Sequence, residues 1–114
     1  MKRPRFHVFY CDFLRDVSVS SSKPEPLAGE RLVPLAEQLL VVEDNYLGVV
    51  DGNDTILQLY LSGAEMVVEL IFPESSGVLQ RKLPVAEALA LLEGLPEEFT
   101  EALLPGASYV QIGN

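Results

Sequence analysis

Residues 46–83, YLGVVDGNDTILQLYLSGAEMVVELIFPESSGVLQRKL, decide the fold. Two apolar runs, 46–50 and 56–61, flank Asp51-Gly52-Asn53-Asp54, whose Asp-Gly and Asn residues tolerate the positive φ that tight hairpins demand. Ser62-Gly63 turns the chain into 66–72, and 73–77 turns it again into 78–83. The pattern predicts an antiparallel meander. Side chains alternate across a strand, so Leu57, Leu59 and Leu61 share a face with one another, as do Met66, Val68, Leu70 and Phe72. Those two sets point to the core. The opposite face carries Ile56, Gln58 and Tyr60 beside Glu65, Val67, Glu69 and Ile71, and is half polar.

Upstream, Pro34 suits a first helical turn, and Leu35, Leu39 and Val42 at i, i+4, i+7 predict a short helix over 35–42. Four serines with Pro24, Pro26 and Gly29 make 18–29 a surface loop. Residues 6–14 alternate Phe6, Val8, Tyr10, Asp12, Leu14 against His7, Phe9, Cys11, Phe13. Both sets are largely apolar, which predicts a strand covered on both faces. Downstream, Val85, Ala88, Leu89 and Leu92 change the period to 3.6, with Gly94 as the stop. Leu95-Pro96-Glu97-Glu98 opens a further short helix with Phe99, Ala102 and Leu103 on its apolar side, and 109–112 is the closing strand. The fold class is α+β: an antiparallel meander sheet of about five to six strands, with two or three short helices packed on one face.

The chain has 114 residues, 48% of them hydrophobic, which fits one domain over 1–114 with its own core. Cys11 is its single cysteine and has no partner for an intramolecular disulfide, as in a reducing cytoplasm. The start, Met-Lys-Arg-Pro-Arg and an apolar stretch, is similar to a signal peptide. His7, Cys11 and Asp12 interrupt that stretch, and no Ala-x-Ala site follows. No apolar run reaches the ~20 residues of a membrane-spanning helix. A cytoplasmic protein with no membrane partner is expected.

Catalytic groups are sparse. His7 and Cys11 lie four residues apart on a strand, ~13 Å along the chain, too far for a nucleophile-base pair. A buried structural role is expected for both. Asp51, Asn53 and Thr55 alternate as at the opening of a calcium loop, but Ile56 replaces its glycine and Ser62 its bidentate Glu, which leaves a hairpin turn. Glu43 and Asp44 stand close before Tyr46 and, with Asp51 and Asp54, are candidates for a carboxylate cluster at the ends of the first hairpin. No His, Lys or Arg in that stretch completes an enzyme site. The chain lacks a Gly-rich phosphate loop, a Gly-x-Ser-x-Gly and a His-Glu-x-x-His. No cofactor and no metal are implied.

Charge carries the strongest functional signal. Between Arg31 and Arg81 there is no Lys or Arg, while Glu37, Glu43, Asp44, Asp51, Asp54, Glu65, Glu69 and Glu74 fall there. Residues 1–23 carry +3 and residues 24–114 carry −12, for a net charge of −9. Phosphates would repel such a surface, so nucleic acid is excluded as a partner, and the Lys2, Arg3 and Arg5 cluster reads as a solvated end. Segregated acidity suits docking onto a basic protein partner. In size, single domain, acidity and lack of catalytic groups the chain is similar to the small bacterial immunity proteins that neutralise toxins, and that likeness implies an inhibitor of a basic toxin.

The expected partner-binding residues are Gln58, Tyr60, Glu65 and Glu69 on the half-polar sheet face, Asp51 and Asp54 at the first turn, and Tyr46 and Tyr60 as anchors. Two other readings stand beside this non-enzymatic one. An enzyme or small-ligand protein would use a pocket between sheet and helices, with Asp12 as a carboxylate of raised pKa, but the favoured place for Asp12 is the strand end, hydrogen-bonded to backbone or paired with Arg15. A homodimer would form through a sheet edge or through Ile56, Val67 and Ile71.

Overall fold

The computed structural model describes residues 5–111. In chain order the elements are β1 (Arg5–Asp12), β2 (Val17–Val19), β3 (Glu25–Ala28), α1 (Leu32–Leu39), β4 (Tyr46–Val50), β5 (Ile56–Ser62), β6 (Glu65–Ile71), β7 (Gly77–Pro84), α2 (Val85–Glu93) and β8 (Ser108–Gln111), with 3-10 turns at Gly29–Arg31 and Glu101–Leu103. All pairings are antiparallel, in the order β2-β1-β4-β5-β6-β7-β8, with β3 also on β1. The class is α+β.

The sheet has eight strands, not the five or six expected. The two additional strands, Val17–Val19 and Glu25–Ala28, fall almost wholly in 18–29, the stretch that reads as loop. Tyr10 pairs with Val19 and Val8 with Glu25, so two steps along β1 match six along the opposing chain and four residues are extruded between β2 and β3. The two form one broken edge strand. Proline is tolerated on an edge, where a missing N–H costs no ladder bond, which explains Pro26 opposite His7.

The meander itself follows the alternation. Leu57, Leu59, Met66, Val68 and Leu70 are buried in the core cluster with Phe6, Val8, Leu47 and Val49. Both helices cover this inner face, α1 through Leu32, Ala36 and Leu39 and α2 through Ala88 and Leu92. Helix α1 begins three residues earlier than the Leu35 stripe suggests. Pro34 is then its third residue, still within the first turn, whose N–H groups lack intrahelical acceptors.

The expected helix after Leu95 is absent. Of its expected apolar side Phe99 is buried, but Leu103 is half-buried and Ala102 exposed, and the only helical turn in that stretch is Glu101–Leu103. The Phe99 N–H donates to Asp51 Oδ2 at 2.7 Å, which holds the chain open at the position a helix would need. The closing strand β8 fits expectation as far as Gln111; Ile112, like Lys2 and Arg3 of the basic cluster, lies outside the described residues.

The outer face departs from expectation in another way. Strand β1 is not covered by a second layer on that side: His7 and Phe13 are exposed and Cys11 is half-buried, so neither His7 nor Cys11 has the buried place expected of it. Their neighbour Phe9 is buried because its ring lies across Gly48 on β4, its cross-strand partner, where a side chain would collide with it.

Candidate functional site

Strand registers place three rows of side chains on the open face. One runs Cys11, Tyr46, Tyr60, Val67, Lys82; the next runs Phe9, Gly48, Gln58, Glu69, Gln80, Ser108. The third, beside the β4–β5 turn, contains His7, Val50, Ile56 and Ile71. Tyr46, Gln58, Tyr60 and Glu69 are therefore adjacent by pairing, and all four are half-buried. Glu65, two residues before Val67 on β6 and so on the same face, is exposed. Val67 is buried, which removes it from any exposed apolar stripe.

Glu69 is the polar hub of this face. Its carboxylate accepts from Gln80 Nε2 at 2.7 Å, Gln58 Nε2 at 3.3 Å and the Tyr60 hydroxyl at 3.5 Å. Partial burial, and then the nearby Glu69 charge, disfavour the phenolate and raise the Tyr60 pKa above its ordinary 10.0. The three partners hold Glu69 in one place without neutralising it.

At the β3-distal end of β4 the face forms a 290 Å³ concavity lined by Phe9, Tyr46, Gln58, Tyr60, Glu43 and Asp44, with Ser21 and Asn45 completing it. The Phe9 and Tyr46 rings meet edge to face at 6.4 Å and 61°. Glu43 accepts from the Gly63 N–H at 2.9 Å, which brings the β5–β6 turn against the rim. Asp44 is exposed and forms no ion pair with another described residue.

Asp51 and Asp54 are elsewhere. Five strand residues, ~17 Å of extended chain, separate the Glu43–Asp44 end of β4 from its turn, so the two carboxylate pairs do not cluster. Asp51 is moreover buried, and its carboxylate accepts from the N–H groups of Asn53 (2.8 Å), Thr55 (2.9 Å) and Phe99 (2.7 Å). It closes the turn and ties it to the last part of the chain. The Asp51 carboxylate is therefore turned into the fold, whereas Asp54, at φ 64°, is exposed at the tip.

Asp12 is also a structural carboxylate. Buried at the end of β1, it pairs with Arg15 at 2.8 Å and accepts from Leu14 N–H, Arg15 N–H and Asn45 Nδ2. Arg15 leads these contacts in holding its pKa below the ordinary 3.8, the opposite of what an acid catalyst requires. Asn45, which sequence reading missed, completes the joint: fully buried, it donates to Asp12 Oδ1 (3.1 Å) and the Leu39 carbonyl (2.8 Å) and accepts from Phe13 N–H (2.8 Å). It locks the end of α1, the entry to β4 and the β1 turn together. Nothing local in the sequence distinguishes it from a solvated loop Asn.

A second cavity, 430 Å³, lies on the inner face beside β8 and is lined by Phe72, Leu79, Phe99 and Tyr109 with Ser75, Gly77, Thr100 and Glu101. Among the described residues no three His, Cys, Asp or Glu side chains are grouped so as to hold a metal ion, and no helix is long and apolar enough to cross a membrane. No family model, curated protein or solved structure matches the chain.

Proposed function

We propose that the protein acts by binding a basic protein through the open face of its sheet, with Tyr46, Tyr60, Gln58 and Glu69 at the centre and Glu43, Asp44, Glu65 and Asp54 at the margins. One observation carries this reading: two half-buried tyrosines stand side by side on a face that no helix covers, next to carboxylates that form no ion pair with a described residue, although Lys82 lies on the same face in the row of Tyr60. Tyrosines surrounded by polar rims are the usual anchors of protein interfaces, and acidic margins speed encounter with a cationic partner. The net charge of −9 supports the same reading. An inhibitor of the immunity type, acting in the cytoplasm on a basic toxin, is one form this function takes.

The test is affinity capture from the native source at low salt and at ~0.5 M salt, where screening shrinks to a few ångströms. Two variants of equal charge change accompany the parent: Asp44→Lys with Glu65→Lys on the open face, and Glu37→Lys with Glu87→Lys on the helices. A basic protein retained by the parent and the helix variant, and lost from the open-face variant and at high salt, is the expected result. Equal retention by both variants contradicts the reading.

A further inference from the structure

The concavity at the end of β4 joins two features that stability does not require together. Its walls are aromatic, from Phe9, Tyr46 and Tyr60, and its rim is anionic, from Glu43 and Asp44. Aromatic faces attract cations through their ring quadrupole, and carboxylates match the planar fork of a guanidinium. We propose that this concavity is a socket for one arginine side chain of the basic partner, with its guanidinium plane against the tyrosine rings and its N–H groups on the Glu43 and Asp44 carboxylates. This deepens the docking reading and rests on it.

The walls are set before any ligand arrives. Phe9 is seated on Gly48 and packs edge-on against Tyr46, while the Tyr60 hydroxyl is bound to Glu69. Glu43 is fixed through one oxygen by the Gly63 N–H, and Asp44 adjoins the fully buried Asn45. A preset site spends little binding energy on ordering its own side chains. No Lys or Arg is among the lining residues: Lys82, on the same face, stands two strands from Tyr60 with Val67 between, and the nearby Arg15 is committed to Asp12. Lys23, two residues beyond the lining Ser21, is exposed and pairs with no described carboxylate. Arginine fits better than lysine because only the guanidinium stacks flat and donates in a fork.

N-acetyl-arginine amide is the probe, titrated into isotopically labelled protein and followed by amide chemical shifts, with N-acetyl-citrulline amide as its neutral isostere. The expected result is saturable shifts at Tyr46, Gln58 and Tyr60 with the arginine compound and none with citrulline. Tyr46→Leu and Tyr60→Leu should each weaken binding by about fivefold, the size of an exposed cation–π contact, and Glu37→Lys should leave it unchanged. Equal response to citrulline, shifts spread over the helix carboxylates, or insensitivity to both tyrosine variants would overturn the socket. Partner capture lost on open-face charge reversal, with no arginine response, would overturn the socket alone and leave the docking reading standing. Capture insensitive to that reversal counts separately against docking.

Discussion

The Phe9 ring occupies the space above Gly48, its cross-strand partner, so that no side chain fits at position 48. A glycine in the interior of a sheet normally weakens it, because it has no side chain to pack. Here the aromatic ring from the neighbouring strand supplies the missing cover and, through its edge contact with Tyr46, sets one wall of the concavity. One pair therefore links sheet stability to the shape of the proposed binding face.

Gly48→Ala should lower stability by about 1–3 kcal/mol, the usual cost of overpacking a filled site. Phe9→Ala in the same chain should remove most of the clash, so a double-mutant cycle by thermal unfolding should give a clearly favourable coupling. Additive effects would mean that the ring does not sit where it is described.

Asp51→Ala should be more damaging. It strips acceptors from three backbone N–H groups, among them the buried Thr55 and Phe99 N–H groups, each costing roughly 1–3 kcal/mol when left unpaired. Chemical denaturation should show a loss of several kcal/mol, whereas Asp54→Gly at the exposed tip, which adopts the positive φ there without strain, should change little. Equal effects of the two would contradict the assignment of Asp51 to the fold.

Acid sensitivity should follow Asp12. Its folded pKa lies below the ordinary 3.8, so the folded state binds fewer protons than the unfolded chain, and stability rises with pH across that interval. The contribution is complete well above 3.8 and is lost as pH falls through the lowered folded value. Urea midpoints measured down to strongly acidic pH should fall more steeply for the parent than for Asp12→Asn. Parallel curves would place the acid response on other carboxylates.

Tyr60 should ionise above the ordinary tyrosine range, because burial and the Glu69 charge both penalise the phenolate. Glu69→Gln removes the charge, so in an ultraviolet titration the Tyr60 transition should move down toward 10.0, while Tyr109, whose pKa is lowered chiefly by its hydrogen bond with Ser76, should be unaffected. No movement of Tyr60 would break the link between the two side chains.

Legibility in the sequence followed locality. Alternation across 56–71 placed Gln58, Tyr60, Glu65 and Glu69 on one face, and Asp51-Gly52-Asn53-Asp54 marked the turn between β4 and β5, although the positive φ falls on Asp54 and not on Gly52 or Asn53. Strands β2 and β3 were hidden because their pairing comes from β1, not from the β-propensity of serine and proline. Asp51 looked like a surface acid because its decisive partner, the Phe99 N–H, is 48 residues away. Asn45 was silent for the same reason: its partners lie on β1's turn and at the end of α1. Charge segregation was visible at once, but its division between the open sheet face and the helices depends on the fold.

Charge reversal on the two sides of the molecule distinguishes docking through the open face from docking elsewhere. With the captured partner in hand, binding would be measured calorimetrically for the parent, for Asp44→Lys with Glu65→Lys, and for Glu37→Lys with Glu87→Lys. The open-face pair should lose affinity by at least about tenfold, equivalent to roughly 1.4 kcal/mol, while the helix pair should stay within about twofold of the parent. Equal losses, or a larger loss from the helix pair, would show that the open face is not the docking surface.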